Sequence, residues 1–375
     1  MLRFIRKFIK GFFIVLTVPV AALFILACVS SFINPNKFWP GGVLSLAIPY
    51  LAIVLLFAFI FWLAMKPALS LIPLVSLLIG WQQIDAAFAF RFKTMFTTDM
   101  EQKKGLRVLS WNVGSMYGVS NDREAKQRDR IEIAKSIVDL RPDIVCLQEF
   151  NHSETQGAHA DNIGMFSEDY PYHYFSKDIN KRDGFYQAGS IIFSKYPIID
   201  SAKIDYPQGI SESFIYTDIL YQSDTIRVYN IHLQSYKFSP EDYEEINTIQ
   251  QNKQSVFSSS GGVARKMKHA FQKRGVQADI IRSHIDSSDR KHIVCGDFND
   301  VPGSYTYFRI RHKNSDAFLK KSWGIGRTFY SIAPTLRIDY ILPDDHFNVM
   351  QFDRIDEDLS DHLLLVSDLT MRQTN

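Results

Sequence analysis

The chain has 375 residues, a formal net charge of +2 and three cysteines. That length leaves room for one large domain and a further segment, and the near-zero charge argues against an overall basic field for nonspecific nucleic-acid binding. Cys28, Cys146 and Cys295 lie in apolar runs and do not make a disulfide framework.

Three stretches at the N-terminus carry no charge: Gly11 to Ile33, Phe38 to Met65 and Pro67 to Ile84. Spanning a bilayer as a helix takes ~20 predominantly apolar residues. The runs therefore predict helices over about 11–33, 43–65 and 67–84, the third being the shortest. A signal peptide is the alternative for the first run, because Arg3, Arg6, Lys7 and Lys10 precede it. Its length and the second run behind it favour a retained, multi-pass anchor in the cell (inner) membrane. The basic N-terminus predicts a cytoplasmic start. Three spans then place everything beyond Asp85 outside the cytoplasm. Arg91, Lys93, Lys103 and Lys104 count the other way, and if 67–84 only lies in the interface the large domain faces the cytoplasm. The expected division is 1–85 anchor, 86–104 juxtamembrane linker and 105–375 catalytic domain. No run holds an internal charge, so the anchor shows no ion pathway.

Beyond Gly105 short apolar strands alternate with amphipathic helices. Leu106 to Val113 and Asp143 to Phe150 read as strands. Arg123 to Leu140 between them reads as a helix with Ile131, Ala134, Ile137 and Val138 along one stripe. Further strands are Ala188 to Ile199, Thr225 to Ser235, His292 to Phe298, Arg337 to Leu342 and Leu363 to Leu369. A helix is expected from about Val263 to Ile285. Val263, Met267, Phe271 and Ile281 face its core, and Arg265, Lys266, Lys268, Lys273 and Arg274 form a solvated or phosphate-facing side.

Several of these strands end in polar groups: Asn112, Glu149, His232, then Asp297 and Asn299. Asp339 lies within another, and Asp361 and His362 precede the last. Two-residue alternation would point Asp297 and Asn299 the same way if the strand ran on. Each residue alone has a structural explanation; Asp339, for instance, could pair with Arg337. Together the types fit one task. Asn112, Glu149, Asp297 and Asp361 offer hard oxygen donors suited to Mg²⁺ or Mn²⁺ rather than zinc. His232 and His362 add proton-transfer groups, Asp339 can orient an imidazole, and Asn299 can donate to a phosphoryl oxygen.

The series SWN, LQE, SKYPI, NIHLQS, GDFND, RIDYIL and LSDH, in that order, resembles the endonuclease/exonuclease/phosphatase superfamily with the DNase I-like fold. The resemblance covers about Leu106 to Leu369. It implies a four-layer α/β sandwich, two mixed sheets face to face with helices outside, here preceded by N-terminal transmembrane helices. It implies Glu149 as principal metal ligand with Asn112 beside it, and Asp361 as a further metal-site acid. Asp297 would lie near the attacking or leaving oxygen and Asn299 on the phosphate. His362 is similar to the family's general base or transition-state stabiliser, oriented by Asp339, and His232 resembles a second active-site histidine. The implied function is a membrane-tethered phosphoesterase, a phosphodiesterase acting on DNA, RNA or a phospholipid or sphingolipid headgroup. The alternative is a non-catalytic membrane scaffold that binds a phosphorylated partner. Nothing in the sequence calls for an obligate protein partner.

Overall fold

In the computed structural model the uncharged runs form a small bundle. Residues 2–91, 96–97, 103–119, 122–155, 161–207, 212–243, 246 and 261–372 are described. Lys93 and most of the polar stretch following Ser239 lie outside the described residues.

Helix α1 (Leu2–Ser30) is followed by α2 (Pro40–Met65), which opens on a proline whose missing N–H costs nothing there. Lys66 is extended, as the residue before Pro67 tends to be, and α3 (Pro67–Ile79) turns back from it. The third run is not one helix over 67–84. It breaks at Gly80, and α4 (Trp81–Ala87) leaves at 64°. A Cβ on Gly80 would lie 2.4 Å from the Phe24 ring, so the break also lets α3 close onto α1.

The contacts fix the directions. Trp62 Nε1 donates to Thr17 Oγ1 at 3.0 Å while Ser30 Oγ donates to the Gly41 carbonyl at 3.4 Å, so α1 and α2 are antiparallel. Gln83 Nε2 donates to the Cys28 carbonyl at 3.2 Å, which returns the end of the third run to the α1–α2 turn. Among the described residues two helices, α1 and α2, are long and apolar enough to cross a membrane, and the bent pair α3–α4 makes a third candidate.

Among the described residues, the rest of the chain builds two mixed sheets and one strand of a further two-stranded pair. Seven strands form the first: β2 (Leu106–Asn112), β3 (Ile144–His152), β4 (Tyr172–Phe175), β5 (Ile179–Lys181), β6 (Tyr186–Ser194), β13 (Phe347–Ile355) and β14 (Leu364–Met371). The second has β7 (Ile198–Asp205), β8 (Ser213–Tyr221), β9 (Asp224–His232), β10 (Lys291–Asp297) and β12 (Asp339–Pro343), in the order β12-β10-β9-β8-β7. The strand expected over 188–199 is thus two strands in different sheets. Pro197 cannot donate to a ladder, and the chain changes sheet there.

Alternation sorts the side chains into layers. Val108, Cys146, Val228 and Cys295 fill the space between the sheets. Leu109, Trp111 and Val145 face α5 (Arg123–Asp139). Val294, Tyr229 and Leu342 face α6 (Gly261–Asp286) and α7 (Tyr305–Arg311). The result is the four-layer α/β sandwich.

Two helix faces differ from the sequence reading. In α5 the buried stripe is Ile133, Ala134 and Ile137, and Ile131 is 49% exposed because it lies off that i, i+1, i+4 face. In α6, Arg274 is wholly buried: Nη1 donates to the Gln234 carbonyl at 2.9 Å and the guanidinium lies over Tyr236. The stretch expected as linker is partly built in, since β1 (Ala89–Phe90) pairs with β11 (Trp323–Gly324).

The bundle rests on this sandwich. Asn34 Nδ2, in the α1–α2 turn, donates to Asp279 Oδ2 of α6 at 2.7 Å. Tyr50 of α2 meets Thr335 at 3.1 Å, and a Cβ on Gly42 would sit 2.2 Å from the Phe271 ring.

Candidate active site

Both sheets contain one parallel pair joined by a helical crossover, β2–β3 through α5 and β9–β10 through α6. Parallel pairing brings the carboxyl ends of the strands to a common edge, where side chains of open α/β sheets tend to collect ligands. In the seven-stranded sheet that edge carries Asn112 and Glu149. In the five-stranded sheet it carries His232 and Asp297, paired in register, with Asp339 opposite Asp297 on the antiparallel β12. The two edges lie together.

Local irregularities aim the key groups. The β3–β6 ladder shifts register between Leu147 and Phe150, and Glu149 inside that bulge has φ 52°. A bulge lets one residue leave the alternating pattern, and Glu149 points into the open cleft with its side chain 44% exposed. Asn299, at φ 51°, lies past the end of β10. It reaches Asp297 through an Asx turn, its backbone N–H donating to Asp297 Oδ1 at 2.8 Å. The pair therefore meets without the strand alternation the sequence suggested. Left-handed backbone at non-glycine residues is uncommon and gathers at functional sites.

The polar groups interlock. Asn112 Nδ2 donates to Asp297 Oδ2 at 3.1 Å and to Glu149 Oε1 at 3.3 Å. Its carbonyl oxygen accepts from the Gly114 N–H, so Asn112 shows the carboxylates its nitrogen. Asn299 Nδ2 donates to Asp297 Oδ2 and to the Leu233 carbonyl. His232 Nε2 makes no hydrogen bond and lies 3.7 Å from Glu149 and 3.9 Å from Asp297. His362 Nδ1 lies 3.0 Å from Asp339 Oδ2, and His362 Nε2 points toward Asp297 Oδ2 at 3.8 Å. Arg337, the other candidate partner of Asp339, instead pairs with Asp316.

The electrostatics follow. Burial opposes charge on His362, but Asp339 and Asp297 outweigh it and push the imidazole up to about 10. Burial and then the Asp339 charge raise the Asp297 carboxyl, while His362 and His232 pull it back. Asp361 is also raised, by desolvation in the cleft and by the nearby Glu149 charge. All eight residues singled out in the sequence lie at this one rim or hold a group that does. Glu149, Asp297, Asn299, Asp361 and His362 line a cavity of about 190 Å³.

Other lining residues were not anticipated. Tyr236, Lys237 and Phe238 follow β9, and the Tyr243 hydroxyl is pushed up by burial and then by the charges of Asp361 and Glu149. Their signal was available, as aromatic residues in an otherwise polar stretch after a strand end. Leu46 comes from α2 and Phe329 to Ile338 from a loop, and neither pattern marks a site. Ser360 Oγ donates to the Asn112 carbonyl at 2.7 Å, tying the segment that holds Asp361 and His362 to β2.

Comparison with known proteins bears on the family and the fold. No curated protein matched. Among solved structures, an endonuclease/exonuclease/phosphatase from Beutenbergia cavernae superposes with a TM-score of 0.52 at 17% identity, covering 72% of each chain. A family protein from Leptotrichia buccalis gives a TM-score of 0.47 at 16% identity over 71% of this chain and 100% of its own. Sphingomyelinase C from Streptomyces griseocarneus gives 0.43 at 18% identity over 70% and 98%. The first likeness supports the fold. A family model for a domain of unknown function matches residues 9–87. The model of the Endonuclease/Exonuclease/phosphatase family matches residues 109–362, well over half of the sequence, and the chain belongs to that family.

Proposed function

We propose that the chain is a membrane-tethered, divalent-metal-dependent phosphodiesterase that hydrolyses its substrate by in-line attack of water. The observation that carries this reading is the meeting of Asn112 and Glu149 from one sheet with His232, Asp297 and Asp339 from the other, closed by His362 on Asp339. Hydrolysis of a phosphate ester needs a positioned water, a proton acceptor and stabilisation of charge on the phosphoryl oxygens.

The residues divide those tasks. Asp339 accepts from His362 Nδ1 and so fixes the ring, leaving Nε2 to donate toward a phosphoryl oxygen. Asp297, held by Asn112 and Asn299, is placed to take a proton from the attacking water. His232, with its Nε2 free of hydrogen bonds, can steady a second phosphoryl oxygen. Asn299 is tied to both Asp297 and the Leu233 carbonyl and lies where the phosphate must pass.

The donor set fits a hard cation. Glu149 and Asp361 are carboxylates facing one cleft, and the Glu149 charge adds to the burial that raises the Asp361 carboxyl. Mg²⁺ or Mn²⁺ prefers such oxygens and keeps several waters. Glu149 and Asp361 would hold the ion beside Asp297, and Asn112 would join them by turning its amide. Bound there, the ion supplies charge to the phosphoryl oxygens and lowers the pKa of water.

The reading divides the chain into anchor 1–85, linker 86–104 and catalytic domain 105–375. Lys66 lies in the α2–α3 turn, on the side of the bundle where α1 begins. Positive residues favour the cytoplasm, which supports an inner-membrane, three-span arrangement with the catalytic domain outside.

The test is turnover of bis(p-nitrophenyl) phosphate by the purified full chain with Mg²⁺ or Mn²⁺. Hydrolysis that stops with chelator and returns with metal supports the reading. Calorimetric Mg²⁺ binding without turnover of any diester would favour a scaffold instead.

A further inference from the structure

The cavity that holds the acids has two unlike walls. Beside Glu149, Asp361 and His362 lies an apolar wall of Val301, Phe329, Leu336 and Ile338, against which Leu46 and Ile332 pack, with the Phe329 ring 4.8 Å from the His362 ring. Leu46 belongs to α2, a helix apolar enough to cross a membrane. The site is therefore closed partly by the anchor itself.

We infer that the substrate is a bilayer phospholipid or another membrane phosphate ester, its phosphate at the acid rim and its chain lying along the wall that α2 shares. This rests on the phosphoesterase reading and adds the substrate class.

Three observations carry it. Leu46 is the seventh residue of α2, so it lines the cavity about 9 Å along the axis from that helix's first residue, at 1.5 Å per residue. Beyond the cavity, Ile53, Val54, Leu56 and Phe57 are exposed on the same helix, so the apolar wall leads toward lipid-facing surface. A bilayer lipid needs no separate transfer through water to reach such a site.

The wall is also held in place. Ile332 has φ 75°, which a β-branched side chain rarely adopts. Tyr50 of α2 meets Thr335 of the same loop at 3.1 Å. Backbone strain of this kind persists where surrounding contacts fix it, and it gathers at ligand sites.

The charge pattern disfavours nucleic acid. A polynucleotide requires several cationic contacts along its phosphates. Among the described residues lining the cavity, Lys237 is the one lysine or arginine, and its ammonium lies 3.0 Å from Glu212.

The experiment uses the full chain reconstituted in phosphatidylcholine vesicles with Mg²⁺. Substrates are p-nitrophenyl phosphodiesters whose second group is methyl, butyl, octyl or dodecyl, beside the p-nitrophenyl ester of thymidine 5′-monophosphate. The leaving group is constant, so differences in kcat/KM report on the second group. We expect kcat/KM to rise from methyl to dodecyl by ~100-fold or more, since each methylene taken from water contributes about a factor of four. Partitioning into the vesicle raises this ratio equally for any variant. Leu46→Asn should therefore cut the dodecyl-to-methyl ratio by about tenfold relative to wild type. Leu336→Asn, on the opposite side of the wall, should do the same and serves if the first variant does not fold. A flat chain-length series, a ratio unchanged in a folded variant, or faster turnover of the thymidine ester overturns the inference while leaving the hydrolase reading intact. No turnover of any ester with Mg²⁺ or Mn²⁺ overturns both.

Discussion

His362 and Asp339 meet across the two sheets of the sandwich. Asp339 opens β12 of the five-stranded sheet, and His362 precedes β14 of the seven-stranded one. Their side chains lie 3.0 Å apart, and both residues are buried. Asp339→Asn preserves size but removes the charge that keeps both ring nitrogens protonated, so Nε2 loses the proton it donates. Steady-state kinetics should show kcat for a soluble diester lower by on the order of 10²–10⁴, with KM changed little.

Glu149 is the exposed carboxylate that the β3 bulge turns into the cleft. Glu149→Gln keeps the shape and removes the charge. Calorimetry should show Mg²⁺ affinity reduced by about 10–100-fold, and turnover at saturating metal should fall as well. Unchanged affinity would move the ion elsewhere.

Gly296 sits beside Asp297 with φ 136°, and a Cβ there would lie 1.9 Å from the Ile231 carbonyl in the neighbouring strand. Gly296→Ala forces β10 and β9 apart at the rim. Chemical denaturation should show a loss of about 3 kcal/mol or more, and the site should lose activity in parallel. Gly262→Ala is the control, because a Cβ at Gly262 meets nothing within 4 Å.

Burial lowers the pKa values of His284 and His292, which pack around Tyr229 behind the five-stranded sheet. Their folded values lie below the ordinary 6.5. As pH falls through that value the unfolded chain takes up protons first, so stability present above it is lost on acidification. His362, raised to about 10, acts in the opposite sense, so the test is the difference: between about pH 7.5 and pH 5 the His284→Gln, His292→Gln variant should lose less melting temperature than wild type.

The sequence motifs led to residues that meet at one rim because most of them stand at or next to a strand end, where an apolar run stops; Glu149 lies within β3, at its bulge. Asn112, Glu149, His232 and Asp297 could be placed that way before any coordinates. What failed was local. The bulge at Glu149 and the Asx turn at Asn299 depend on left-handed backbone, which residue type does not announce. The strand over 188–199 changed sheet at a proline that alternation ignored. Arg107, Arg274 and Arg337 are fully buried, although pattern alone puts arginine in water; each pairs with an acid distant in the chain, Asp368 for Arg107, Asp300 for Arg274 and Asp316 for Arg337. The share of α2 in the cavity was invisible for the same reason: Leu46 looks like any other leucine in an apolar run until the fold sets it against Val301 and Leu336.

The most direct measurement is diester hydrolysis by the full chain with Mg²⁺ present, chelated and restored, run beside Glu149→Gln and Asp339→Asn. The account predicts turnover that follows the metal and falls at least about a hundredfold in both variants. Turnover that ignores chelation, or that survives in both folded variants at the wild-type rate, would contradict it.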